Sequence, residues 1–446
     1  MFNAIFGDGA LRGELYTALL VIGLAMGSAS AETPDFDANT LTGGWSGLRA
    51  EQSGQGWDWD IGLRVDQMSI VRGGLAQGGR PLTHFDFKLK ADLDKVIGWQ
   101  GATAFFNLID DRGGKPNADY AGSLLGVSNI EVPVATTRLF HAWIQKEWSE
   151  GQFSLLAGLY PIDSEFMVMD SAGVFVQPSY GALADVALTR GPSIFNNSAF
   201  GLRGKWTSAD RSLYAQGAVL DGIPGDPNHA VGTRVRFAAG DGVMAIMEIG
   251  HRPVAEIPDI DFAADEMRPE TEAKAPEPEP GFAKYALGLW GYSERVDDLV
   301  DVDDNGAPVK RRSLGWYALA ERTIWRETAL GDVTVFSRYS QNDGNSIALE
   351  RSLNLGITLK GPFKGRANDV AGLGYSRGLI SDKYRAFLES GGVQPTRFED
   401  AWELTYRFQM ENWLSVQPVL QLIRHPGADQ GVRNATVIGL RLDLAL

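Results

Sequence analysis

Cysteine is missing from all 446 residues, which removes disulfide frameworks, thiolate metal sites and cysteine nucleophiles together. The compartment stays open on that ground, because disulfides are permitted but not required in an oxidising space. No apolar run is long enough for a membrane-spanning helix, which needs about 20 residues. Any membrane span would have to be built from strands. Positive charge is short as well: 41 Lys and Arg stand against 56 Asp and Glu, for a net charge of -15. Without a basic field to meet phosphates, the composition argues against a nucleic-acid partner. The catalytic signatures G-x-S-x-G, H-E-x-x-H and G-x-x-x-x-G-K-[ST] do not occur, and the histidines at 84, 141, 229, 251 and 425 are scattered. No fixed repeat is visible, which counts against propellers and solenoids.

Glycine is plentiful at 53, and the hydrophobic 44% is dispersed rather than clustered. At the N-terminus an apolar core from about Leu15 to Met26 is followed by Ala29-Ser30-Ala31, the small-x-small pattern a signal peptidase reads. Residues 1–31 are therefore expected to be a cleaved export signal, although Asp8 and Glu14 outweigh Arg12 in the segment before it.

Beyond residue 55 the dominant period is two. "HFDFKLKADL" sets Phe85, Phe87 and Leu89 against Asp86, Lys88 and Lys90, and "AWELTYRFQM" sets Trp402, Leu404, Tyr406 and Phe408 against Glu403 and Arg407. The chain's last residues set Ile438, Leu440, Leu442 and Leu444 against Arg441 and Asp443. Similar alternation runs through "DIGLRVDQ", "GATAFFNLI", "AFGLRGKW", "GTRVRF", "GWYALAERTIW", "TVFSRYS" and "WLSVQPVLQLI". Strict alternation marks strands with one apolar and one polar face. A soluble sandwich also has such strands, but roughly 16 of them, separated by Gly, Pro, Asn and Asp, match a transmembrane barrel. There the apolar set faces lipid, the charged set faces a watery lumen, and closure leaves no unpaired edge in the hydrocarbon. Trp402, Tyr406, Trp413, Trp290 and Tyr292 are expected at the headgroup level, where amphipathic rings are favoured.

Two stretches read as long loops. Residues 251–282 are acidic and proline-rich, unable to bury a core; residues 111–136 are glycine-rich and then apolar, suited to an extracellular or inward-folded loop. "DVDDNG" places Asp301, Asp303, Asn305 and Gly306 as in the first half of a calcium loop, but position twelve is Arg312 where a bidentate Glu is required and Pro308 interrupts it. A solvated acidic loop is the better description.

Several long segments, "LTGGWSGLRAEQSGQGWDWDIGLRVD", "AGLYPIDSEFMVMDSAGVFVQPSYG", "LWGYSERVDDLVDVDDNGAPVKRRSLGWYALAE", "ELTYRFQMENWLSVQPVLQLIRHPG" and "NATVIGLRLDLAL", resemble in order the carbohydrate-selective porins of the OprB type from about residue 40 onward. The first element of the resemblance falls on Leu41, Thr42, Gly43, Trp45, Gly47, Leu48 and Arg49, the second on Ala157, Gly158, Asp163, Glu165, Phe166, Asp170, Gly173, Phe175, Ser179 and Gly181. It implies an all-β, sixteen-stranded outer-membrane barrel over 56–446, a periplasmic segment over 32–55 and a lumen narrowed for sugar passage. The chain departs from the pattern in ending on Leu446, where such barrels usually end on an aromatic residue, and in its acidic insertion.

A sugar pore replaces water around hydroxyls with fixed donors and acceptors, weakly enough for the solute to leave. By parity, and by the position of Asp163 and Glu165 where a strand leads into a loop, the expected constriction residues are Asp163, Glu165, Arg64, Arg203, Lys88, Arg407 and Glu403. The implied partners are small, glucose-like carbohydrates and outer-membrane lipid, without cofactor, metal or catalysis; homo-oligomerisation stays open. The alternatives are a general non-selective porin, an outer-membrane hydrolase and a secreted carbohydrate-binding protein, the last disfavoured by so much apolar strand surface.

Overall fold

A computed structural model describes residues 35–253 and 282–446. The expected export signal, and the 251–282 segment except at its ends, lie outside the described residues.

Alternating sequence becomes strand in the order β1 Trp57–Gly74, β2 Gly78–Asp92, β3 Ala102–Gly113, β4 Thr136–Trp148, β5 Phe153–Tyr160, β6 Ala199–Thr207, β7 Leu213–Asp221 and β8 Val243–His251. The second half runs β9 Ala283–Val302, β10 Pro308–Thr328, β11 Gly331–Asn342, β12 Leu349–Lys360, β13 Val370–Ile380, β14 Phe398–Glu411, β15 Leu414–Arg424 and β16 Arg433–Ala445. Each pairs antiparallel with its sequence neighbours, and β16 returns to β1, so the sheet closes into a barrel. Every strand has a partner on both sides, the condition for crossing hydrocarbon. No helix among the described residues is long and apolar enough to cross a membrane.

The period-two pattern is realised as two faces. On β16, Ile438 and Leu440 are 53% and 43% exposed, whereas Arg441 and Asp443 are 3% and 2% exposed. Hydrophobic outside and charged inside reverses a soluble core, as lipid outside and a polar lumen require. The closing seam is also charge-matched. "LRVD" on β1 meets "LRLD" on β16 with Arg64 opposite Asp443 and Asp66 opposite Arg441, at 2.6 and 2.7 Å. Sliding the seam by two residues would oppose Arg64 to Arg441 or Asp66 to Asp443, so like-charge repulsion guards the register.

Successive connections alternate between the two ends. The termini share one end with short links such as 149–152, 208–212 and 329–330, and the opposite end carries 114–135, 161–198, 222–242 and 381–397. In outer-membrane barrels short turns face the periplasm and long loops the exterior. The strands joined by 252–282, β8 and β9, end on the terminus side. At that same end the Leu41–Arg49 element forms the turn between two short helices, Phe36–Asn39 and Leu48–Gly54, with Leu41 N–H donating to the Ala445 carbonyl at 2.8 Å. Arg49 is buried there, donating to Thr40 Oγ1 at 2.9 Å and lying over the Trp45 ring at 4.8 Å.

Three expectations need correcting. "GTRVRF" is not a strand: it lies in the 222–242 connection, where Gly232 N–H bonds to Thr136 Oγ1 and Leu139 N–H to Thr233 Oγ1. Its alternation is that of an extended segment laid beside the upper part of β4, which β5 is too short to cover. Trp290 and Tyr292 are not headgroup-level rings; they are 3% and 4% exposed and point inward, because their parity is opposite to that of outward Leu287 and Leu289. The loop expected at 111–136 spans 114–135, since the β3 ladder continues through Gly113.

Candidate pore constriction

Residues 161–198 leave β5 at Tyr160 and fold into the lumen instead of outward. Near the end of β5, Gly158 has a φ of +146°, and a Cβ there would meet the Ala142 carbonyl oxygen at 2.2 Å. Ile162, Phe166, Met167, Leu183 and Val186 then pack against the inward rings of Trp143, Trp290, Tyr292 and Tyr317. A loop with little regular structure still has backbone donors and acceptors to satisfy when buried. Wall side chains do this. Arg338 donates to the carbonyls of Met167, Ser179 and Gly181 at 2.7, 2.6 and 2.6 Å. Glu403 accepts from the amides of Val176 and Gln177 at 2.7 and 2.9 Å, and Glu321 from those of Asp170 and Ser171 at 3.0 and 2.7 Å. Glu248 accepts from Met167 N–H at 2.8 Å, while Lys284 Nζ donates to the Val168 carbonyl at 2.8 Å. The 114–135 loop is held alike, with Glu399 accepting from the amides of Leu124 and Leu125 at 3.0 Å each.

The first turn of the inward loop, Ile162–Ser164 with Glu165 capping it, sends Asp163 and Glu165 into different spaces. Glu165 forms a two-pronged pair with Arg203 of β6, both contacts 2.8 Å, and accepts from the Tyr160 hydroxyl. Arg203 also donates to Ser154 Oγ and Gln145 Oε1. Burial alone would raise the Glu165 carboxyl; the charges of Arg203 and Lys205 and the hydrogen bonds from Arg203 and Tyr160 overcome it and hold the group below the usual glutamate range. This pair borders a cavity of about 760 Å³ at the terminus end, also lined by Gln145, Lys205, Tyr214 and Arg252. Asp163 instead borders a cavity of about 240 Å³ against β2, β3 and β4, with His84, Asp86, Lys88, Asn107 and Phe195. Burial pushes its carboxyl up to about 6, partly opposed by the Phe195 N–H at 3.3 Å.

The structure thus pairs Glu165 with Arg203, and sets Asp163 and Lys88 on the walls of one cavity. It places the remaining candidates elsewhere. Arg64 is engaged by Asp443 on the seam, Glu403 holds loop amides, and Arg407 is an inward, 6% exposed side chain of β14. Parity was the signal that all face inward; which would meet a folded-in loop is tertiary information. Arg338, Glu321, Glu248 and Lys284 were not singled out from the sequence, although each sits at an inward parity position of an alternating strand. Asp301, of the acidic "DVDDNG" stretch, pairs with Arg311 and Lys383 at 2.9 and 2.7 Å, and the Asp303 carboxylate accepts from the amides of Asn305 and Ala307 at 2.9 and 3.0 Å.

A closed sixteen-strand barrel with a lipid-facing apolar band and a charged lumen narrowed by an inward loop is a bacterial outer-membrane porin. The family model for carbohydrate-selective porins, OprB family, matches residues 76–446, and the chain belongs to that family. It is 25% identical to Porin B of Pseudomonas aeruginosa over 462 residues, covering 95% of each chain. Porin AaxA of Chlamydia pneumoniae is 26% identical over 171 residues, covering 38% of this chain and 34% of that one. Among solved structures, the high-pH structure of Pseudomonas putida OprB shares the fold with a TM-score of 0.79 at 21% identity, covering 92% of this chain and 99% of the other.

Proposed function

We propose that this porin admits small, glucose-like monosaccharides by passive diffusion, without catalysis, through a constriction at the Glu165–Arg203 pair. The observation that carries the reading is that pair, held by the inward loop and bordered by Lys205, Gln145 and Tyr214. Fixed donors and acceptors of both signs side by side suit a neutral polyol, which offers both at every hydroxyl, better than they suit either ion. Membership of a carbohydrate-selective family and likeness to Porin B support sugar as the solute. In this reading residues 1–31 are cleaved on export and 32–55 form a periplasmic cap on the barrel.

The test is solute entry into liposomes carrying the purified porin, comparing glucose with a neutral amino acid of similar size. Glucose enters faster and saturates in the unmodified protein, and Glu165→Gln reduces that preference several-fold. Equal, size-limited entry of both solutes would make the protein a general porin. Proteoliposomes that admit neither would overturn the channel reading.

A further inference from the structure

The smaller cavity has properties of its own. It lies between the inward turn at Asp163 and the lumen wall formed by β2, β3 and β4, and its volume of about 240 Å³ equals that of roughly eight liquid waters. That is the scale of one monosaccharide ring. Two of its lining side chains, Asp86 and Asn107, are 2% and 4% exposed. Asp86 Oδ1 is engaged by Asn107 Nδ2 and Lys88 Nζ, both at 3.1 Å. Asn107 Oδ1, however, has no hydrogen-bond partner within the protein, and Asp86 Oδ2 has none either, its nearest charged neighbour being His84 Nε2 at 3.7 Å. Buried acceptors of this kind are costly unless something brings donors to them. Facing them are the Asp163 carboxylate, a third acceptor, and the ring of Phe195, which is set edge-on against His84 at 5.4 Å and Phe140 at 5.8 Å. Two under-satisfied acceptors, on a wall shared with Lys88 and His84, and an aromatic ring opposite call for a ligand that donates hydrogen bonds from one edge and offers C–H surface elsewhere.

We infer that this cavity is a second binding station, separate from the Glu165–Arg203 constriction, which accepts the vicinal hydroxyls of one sugar ring on Asp86 and Asn107 and packs its apolar face on Phe195. The inference rests on the proposed sugar passage but uses none of the residues of its constriction. A neutral hydroxyl displaces water from such acceptors at little cost, whereas a solute with acceptors only gains nothing there. Two stations in series would let the lumen hold a sugar before or after the constriction and would sharpen discrimination by hydroxyl pattern.

The experiment measures the half-saturating glucose concentration for entry into proteoliposomes for the unmodified porin, Asp86→Asn, Asn107→Leu and Glu165→Gln, with salt conductance as the check that each barrel is intact. Asp86→Asn turns the orphan acceptor into a donor without changing shape, and Asn107→Leu removes the other. Each is expected to raise the half-saturating concentration by about tenfold, and a glucose lacking one ring hydroxyl should lose its sensitivity to one of the two changes. Unchanged half-saturation in both variants, with Glu165→Gln still altering entry, would overturn the second station and leave the sugar-passage reading standing. An altered cation preference in place of any sugar effect would show that the cavity holds a monovalent cation and would overturn the inference. An absence of saturation in the unmodified protein would overturn both readings.

Discussion

Asp163 and Glu165 are two residues apart, and the chemistry of each is set by what the fold places opposite it. Glu165 has a guanidinium in two-pronged contact and stays ionised; Asp163 has one amide and a desolvating cavity, so its carboxyl is pushed up to about 6. A raised carboxyl favours the neutral form in the folded protein. The stability associated with that neutral form is fully present below the ordinary aspartate value of 3.8 and is lost as pH rises through about 6. Asp163→Asn should therefore flatten the fall in thermal midpoint over that window, with His84, Asp86, Lys88 and His141, which line the same cavity, left unchanged in both proteins. Identical pH profiles for the two proteins would show that Asp163 is already ionised at low pH. The sequence displayed both acids at a strand-to-loop junction, but not their separate cavities, because the direction of each side chain depends on the turn between them. At Gly158 the left-handed backbone and the 2.2 Å approach of the Ala142 carbonyl mean that Gly158→Ala should lower folding yield sharply, by a strain of about 2 kcal/mol or more.

At the scale of the element, the inward loop is fixed by the wall rather than by its own helices. Arg338 illustrates this, since three loop carbonyls accept from one guanidinium. Arg338→Met should loosen the loop by about 3 kcal/mol, roughly 1 kcal/mol for each bond lost, and should appear as higher and noisier single-channel conductance with the barrel still closed. Conductance indistinguishable from that of the unmodified protein would show that packing by Phe166, Met167 and Leu183 alone holds the loop. Strands were readable from alternation because lipid and lumen impose opposite demands on neighbouring residues. The inward path of 161–198 was not readable, because its apolar residues read equally well as an exterior loop with its own small core. "GTRVRF" shows the converse failure, a correct extended conformation without the partner strand that would make it a strand.

For the whole molecule, a barrel of roughly sixteen two-faced strands followed from period two and the count of sixteen from the family resemblance, whereas the electrostatic match at closure needed the register. The two R-x-D sequences on β1 and β16, placed antiparallel, put each Arg opposite an Asp. Asp443→Arg should reduce assembly by placing it against Arg64, and the double variant Arg64→Asp with Asp443→Arg should recover it, with a coupling of about 1–2 kcal/mol in a double-mutant cycle. Additive losses would mean that the pair contributes nothing to closure. The central claim, that the narrowed lumen holds and passes sugar, is tested most directly by titrating glucose while recording single-channel salt current in a planar bilayer. The account predicts a current that falls along a saturating curve as sugar occupies the constriction, with the half-point shifted in Glu165→Gln. A current that falls only in step with the conductivity of the bulk solution, identically in both proteins, would contradict it.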